Sequence, residues 1–228
     1  MTRNVLVSGG TGALGRAVVR AFLESGDRVA VPWIVAGERD AVQRDFAEAL
    51  RTGRLALVEA DVSDAQGAAA AAKATEPVAV LVNGAGGFAG GTPVWDTDLE
   101  TWDAMYRINL RTAVALARAV LPGMRERGAG ALVNVASQAA FARPATLAAY
   151  SASKAGVVVL TETLARELEG TRVRVNAVVP STIDTPANRR AMPDADWSRW
   201  TPPDAIARVV LWLASEAAAT VRGALVPV

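Results

Sequence analysis

Val5-Leu6-Val7-Ser8-Gly9-Gly10-Thr11-Gly12-Ala13-Leu14-Gly15 lies at the start of the chain, and its reading decides the fold class. The apolar run 5–7 reads as a buried strand. It breaks into glycines spaced three apart, Gly9, Gly12 and Gly15. Residues 16–25 follow, with Ala17, Val18, Ala21 and Phe22 on one helical face before Gly26 stops the helix. Lacking Cβ atoms, such a turn is tight and lets a pyrophosphate approach backbone N–H groups, to which the helix N-terminus adds partial positive charge. Three glycines alone are weak evidence, because turns use glycine anyway. Their place between a first strand and a first helix points to a dinucleotide, bound at Gly9, Thr11, Gly12, Ala13, Leu14 and Gly15.

Outward from this turn, short apolar runs alternate with helical stretches. Strands are expected at 29–33, 55–58, 78–82, 132–135, 173–179 and 225–228. Helices are expected at 40–51, 65–74, 150–168 and 205–214. A longer one runs from an Asp98 cap to about Arg127, with a bend near Pro122, and Thr201 is the expected cap of the helix at 205–214. This alternation implies one α/β domain over 1–228, a doubly wound parallel sheet of about seven strands with helices on both faces. Residues 184–201 break the pattern with prolines, Trp197 and Trp200, and read as a lid.

Composition narrows the chemistry. Hydrophobic residues make up 51% of the 228 positions, enough for a large core. A net charge of +1 gives no basic stripe for nucleic acid or an anionic membrane, leaving a small molecule as the expected partner. No apolar run is long enough to cross a bilayer, and no leader pattern precedes the first strand, so a cytoplasmic protein is expected. Cysteine and histidine are both absent. That removes thiol nucleophiles, the commonest general base and the usual metal ligands, so no metal site is expected. Proton transfer falls to Tyr, Lys, Ser or carboxylates.

Tyr150-Ser151-Ala152-Ser153-Lys154 puts Tyr150 and Lys154 one turn apart on a helical face. Only two of the 24 basic residues are lysines, Lys73 and Lys154, and there are only two tyrosines, Tyr106 and Tyr150. A phenol has a pKa near ~10 and is a poor acid–base group at neutral pH. A nearby ammonium favours the phenolate and brings it toward working range. The plainer alternative is a surface lysine beside a helix-face tyrosine.

With these residues the sequence resembles the short-chain dehydrogenase/reductase family over essentially its whole length. The motifs fall in the family's order: the three glycines, Asp61-Val62, Asn83-Gly84-Ala85-Gly86, Asn109, Ser137 and Tyr150-x-x-x-Lys154. Singly they are ordinary, since Asn109 could be a mid-helix polar residue and Ser137 a strand end. The resemblance implies a Rossmann-type fold and an NAD(P)H-dependent hydride transfer between the nicotinamide and a carbonyl or secondary alcohol. In it Tyr150 is the general acid or base, and Lys154 lowers its pKa and holds the nicotinamide ribose. Ser137 bonds the substrate oxygen, and Asn109 holds a water reaching Lys154. Asp61 and Val62 contact the adenine, and Asn83, Gly84 and Ala85 line the cofactor cleft. The resemblance also implies a homodimer or homotetramer built on the 98–127 and 150–168 helices.

The chain departs from the pattern in places. Pro180-Ser181 replaces the frequent Pro-Gly, leaving Thr182 or Thr185 to meet the carboxamide. No carboxylate closes the second strand; Glu38 comes later, next to Arg39, so NAD and NADP both stay open. The glycine spacing and the stretches 182–189 and 192–202 locally resemble dihydropteridine reductase, which makes quinonoid pterin reduction the alternative activity. That enzyme has alanine where this chain has Ser137, and a serine favours a carbonyl or alcohol. A dinucleotide sensor without turnover is the remaining alternative, and it would need none of Ser137, Tyr150, Lys154 or Asn109.

Overall fold

The computed structural model describes residues 2–228. Seven parallel strands form one sheet: β1 (Asn4–Ser8), β2 (Arg28–Trp33), β3 (Leu55–Glu59), β4 (Val78–Asn83), β5 (Ala129–Val135), β6 (Arg172–Val179) and β7 (Leu225–Pro227). Their order is β3-β2-β1-β4-β5-β6-β7. The chain winds outward from β1 in one direction, then returns to β1's other side with β4. That reversal opens a crevice at the carboxyl ends of β1 and β4.

Successive side chains of a strand point to opposite faces, so a strand covered on both sides must be apolar throughout. In β1, Val5 and Val7 join one core cluster and Leu6 the other. The first cluster is closed by α1 (Ala13–Glu24) and the late helix Pro203–Leu213. Two further helices, α2 (Ala36–Asp45) and α3 (Ala47–Arg51), flank β2 and β3. The second cluster is closed by α4 (Ala65–Lys73) and by α6 (Thr112–Arg127), which follows α5 (Leu99–Met105) after β4. After β5 come α7 (Ala139–Ala142) and α8 (Ala148–Glu167), whose Ala140, Val157 and Val158 pack with Ala177 and Val179 of β6 in a third, smaller cluster. After β6 come α9 (Pro186–Ala191) and α10, the Pro203–Leu213 helix.

The doubly wound parallel sheet matches the sequence expectation, with local differences. The helix expected at 40–51 starts at Ala36 and breaks at Phe46, whose backbone leaves helical geometry as its ring is buried. Asp98 does cap α5, accepting from Thr101 N–H at 2.6 Å. Beyond α5, regular geometry gives way to a π-helical stretch, Tyr106–Arg111, while α6 continues through Pro122. Pro122 has no N–H to donate to the carbonyl of Arg118, a residue on the exposed side of the helix. Thr201 is not a helix cap. Its N–H donates to the Thr182 carbonyl at 3.1 Å, and Pro202 and Pro203 start α10. The short α7 had no periodic signal.

Two arginines fasten the edges. Arg174 on β6 is 7% exposed and donates to the carbonyls of Leu213, Ser215 and Ala218, satisfying the C-terminal end of α10. Arg3 donates to Asp27 Oδ2 at 2.6 Å and to the Ala214 carbonyl at 2.6 Å, tying the N-terminus to the α1–β2 turn and to α10. Burial alone would raise the Asp27 carboxyl, but hydrogen bonds from Arg3 and its charge, with help from Ser25, hold it below the usual 3.8. A depressed carboxyl stabilises the fold above its unfolded pKa, and that contribution disappears as pH falls through the folded value. Asp27→Asn is therefore expected to cost about 1–3 kcal/mol at pH 7. In urea unfolding curves the gap between variant and parent narrows as pH drops below the usual 3.8.

Candidate active site

The glycine turn sits at the mouth of the crevice. Gly9 adopts φ +68°, and a Cβ there would overlap the Gly84 backbone, so β1 and β4 can converge only on glycine. Gly15 is pressed onto the Gly9 carbonyl, where no side chain fits. Gly12 starts α1 from an extended conformation and supplies no side-chain cap. The first-turn N–H groups of α1 thus keep their donors for a ligand anion, and the turn fits a dinucleotide pyrophosphate over Gly12, Ala13 and Leu14. Thr11 Oγ1 donates to Glu38 Oε2 at 2.6 Å.

One flank is polar. Asp61 accepts from Ser63 N–H at 2.9 Å and from Arg107 Nη2 at 2.8 Å, and Arg107 Nε reaches Ser63 Oγ at 2.9 Å. The Ser63 bonds, more than Arg107, hold the Asp61 carboxyl low. Val62 is buried beside it, and Gly67 lies flat against the Asp61 backbone, where a Cβ would clash. Arg107 belongs to the π-helical stretch, so one irregular segment braces both this carboxylate and the region of Asn109.

The opposite side gathers the four residues singled out for catalysis. Lys154 on α8 is 6% exposed and donates from Nζ to the Val135 carbonyl at 2.9 Å. Burial lowers its pKa from 10.5 to about 8. Burial raises the Tyr150 phenol, and the hydroxyl of Ser137, the second residue after β5, offsets part of the rise. The ammonium is thus not what acts on the phenol in this structure: it is directed at a backbone carbonyl. Both groups have lost water, and desolvation favours the neutral form of each. Asn109 Nδ2 donates to the Gly87 carbonyl at 3.1 Å and to Ser153 Oγ at 3.0 Å, while its Oδ1 accepts from Gly87 N–H at 3.1 Å. Ser153 in turn donates to the Tyr150 carbonyl at 2.7 Å. A Cβ on Gly86 would lie 2.8 Å from Asn109 Oδ1 and 3.4 Å from Lys154 Nζ, so that glycine lets the loop after β4 pass over both.

The remaining expected residues divide. Gly84 N–H and Ala85 N–H bond Ser8 and form the rim between β1 and β4. Asn83 turns inward instead, donating to Asn134 Oδ1 at 2.9 Å; its own Oδ1 is buried without a partner, as is Ser151 Oγ. Its sequence position next to the rim hides this, because a strand's last residue may face the core. The Pro180 carbonyl accepts from Gln138 N–H at 2.9 Å and joins the ends of β5 and β6. Thr185 Oγ1 caps α9 at Asn188 N–H, 3.1 Å, and Thr182 pairs through its backbone with Thr201. Within 184–201, Asp184 and Arg189 are paired at 2.6 Å, Arg189 stacks on Trp197 at 4.7 Å, and Trp197 faces Trp200. The sequence reading missed Phe88, whose ring meets Tyr150 edge-on at 5.1 Å while 65% exposed. It also missed Arg107, Ser153 and the Thr11–Glu38 contact; for Phe88 the available signal is an aromatic residue set among Gly86, Gly87, Gly90 and Gly91.

A family model described as short chain dehydrogenase matches residues 3–196. The chain belongs to that family. It is 35% identical to D-threitol dehydrogenase of Mycolicibacterium smegmatis, covering 96% of this chain and 88% of that one. It is 37% identical to galactitol 2-dehydrogenase (L-tagatose-forming) of Cereibacter sphaeroides, covering 97% and 91%. Among solved structures, a 3-oxoacyl-[acyl-carrier protein] reductase with bound NAD from Brucella melitensis superposes with a TM-score of 0.88, at 30% identity and coverage of 99% and 89%. The short-chain dehydrogenase is an NAD(P)-dependent oxidoreductase with a Rossmann-type fold. No helix of the described residues is long and apolar enough to cross a membrane.

The buried lysine makes stability depend on pH. Because its folded pKa is about 8 against 10.5, the folded state binds fewer protons between those values, and parent stability climbs there with pH. Relative to Lys154→Met, the parent is expected to gain up to about 3 kcal/mol between pH 8 and 10.5, read by denaturant unfolding of both proteins without dinucleotide.

Proposed function

We propose that this dehydrogenase interconverts a secondary alcohol and its ketone, with Tyr150 handling the proton. The Tyr150 and Ser137 hydroxyls carry this reading: burial raises the phenol, the Ser137 hydroxyl works against that rise, and one substrate oxygen can take a bond from each of the two. A bound nicotinamide supplies the hydride donor or acceptor, and the proton is left to the protein. In reduction Tyr150 gives its proton to the carbonyl oxygen, and in oxidation the phenolate takes the alcohol proton. Ser137 holds that oxygen throughout. Lys154, buried at this end, would meet the nicotinamide ribose and favour the phenolate. Asn109 is a positioning residue that holds the 86–87 loop and, through Ser153, the turn of α8 bearing Tyr150. Gly9, Thr11, Gly12, Ala13, Leu14 and Gly15 would seat the pyrophosphate, Asp61 and Val62 the adenine, Gly84 and Ala85 the middle of the cofactor, and Pro180, Thr182 and Thr185 the carboxamide end. Residues 184–201 would form a lid on the single 1–228 domain, and the cytoplasm, where a nicotinamide pool is available, is the proposed setting.

The names of the relatives suggest polyols as first substrates to try, since two of them are dehydrogenases of threitol and galactitol. Tyr150→Phe is expected to lower turnover at least about 100-fold while leaving dinucleotide affinity unchanged. The assay panel comprises polyols, simple ketones and quinonoid dihydropterin. Turnover of the pterin alone, or an active Tyr150→Phe enzyme, overturns the reading.

We also infer a homo-oligomer, with a second copy covering the groove between α6 and α8. The groove measures about 530 Å³ and is lined by apolar Val114, Leu121 and Leu164. It carries both signs of charge, Arg118 and Arg125 against Glu167, as a two-fold interface pairing a patch with itself requires. Leu164→Glu is expected to shift the protein to a smaller species in sedimentation; a monomeric parent refutes this.

A further inference from the structure

The ribose pocket of the dinucleotide site lacks the acid that would close β2: the strand ends at Pro32 and Trp33. The fold supplies one from another element. Glu38, in the first turn of α2, reaches back to the glycine turn and accepts from Thr11 Oγ1 at 2.6 Å. Its carboxylate therefore stands at the lip of the crevice beyond β1 and β2, where the adenosine ribose of a dinucleotide lies. The cations that could offset it are engaged elsewhere. Arg39 donates to Asp40 Oδ1 from both Nε and Nη2, at 2.9 and 2.6 Å, and its guanidinium stacks on Trp33 at 4.7 Å. Arg16, at the start of α1, is paired with Asp45 at 3.3 Å.

We propose that Glu38, presented by α2 and fixed by Thr11, makes this enzyme select NAD(H) over NADP(H). A carboxylate accepts hydrogen bonds from a ribose diol. A 2′-phosphate at the same place brings like charge against it, and no unpaired guanidinium of Arg39 or Arg16 is there to compensate. This deepens the dinucleotide reading of the glycine turn and rests on it.

The test is fluorescence titration of the parent, Glu38→Gln and Arg39→Ala with NADH and NADPH, at low and high salt. Glutamine keeps an acceptor for Thr11 while removing the charge, so the turn is conserved and electrostatics alone change. The parent is expected to bind NADH at least about tenfold more tightly than NADPH, with the margin reduced in high salt. Glu38→Gln is expected to bind NADPH more tightly than the parent does, and Arg39→Ala to leave NADPH affinity unchanged. Equal or reversed preference in the parent overturns the selectivity while leaving the dinucleotide site intact. So does a loss of NADPH binding in Arg39→Ala, which would make that arginine the phosphate ligand. Failure of both dinucleotides to bind removes the site itself, and the inference with it.

Discussion

A buried cation without a carboxylate partner is the constraint around which the site is arranged. Lys154 Nζ is held by one backbone carbonyl, that of Val135, at the very end of β5. An ammonium taken out of water is costly, and its lowered pKa expresses that cost. It survives because everything next to it is shaped to keep it there. Gly86 clears space above it, α8 fixes its stem, and Ser137 follows the strand whose last carbonyl it bonds. The arrangement is better suited to a charge that must act than to stability, where an apolar side chain would serve.

The sheet makes that arrangement possible by topology. The reversal between β1 and β4 leaves a crevice at their carboxyl ends, and glycines at 9 and 84 let the two strand ends meet. One side of the crevice presents N–H donors of α1 and the other presents the end of β5 and α8. The π-helical stretch adds a link between them. Its Arg107 braces Asp61 on one side, and its Asn109 braces the 86–87 loop on the other. A regular helix through 106–111 would turn these two side chains along a different path. One irregular segment thus joins the Asp61 flank of the crevice to the Gly87 loop and to Ser153 of α8.

Much of the fold was legible in the chain. Continuous apolar strands, helices of 3.6-residue period and a glycine turn in first place are local signals, and the parallel sheet follows from their alternation. The misreadings share a cause. Thr201 looked like a cap because it precedes two prolines, yet its N–H is used by Thr182, a partner defined only when the two segments cross. The break at Phe46 and the short α7 depend on what the core admits, which periodicity does not report. For the site, Tyr150 and Lys154 are legible because they lie one helical turn apart, whereas the inward rotation of the Asn83 side chain onto Asn134 is a tertiary matter.

The sequence by itself determined the order of strands and helices, the glycine spacing, and which residue types are available for proton transfer once histidine and cysteine are absent. These depend on neighbours within a turn or two, where covalent spacing dictates geometry. Tertiary structure alone decided that Lys154 faces Val135, that Arg107 holds Asp61, and that Glu38 reaches Thr11, across separations of 19, 46 and 27 residues. Such pairs depend on the register of distant elements against one another, and no local pattern in the chain carries that register.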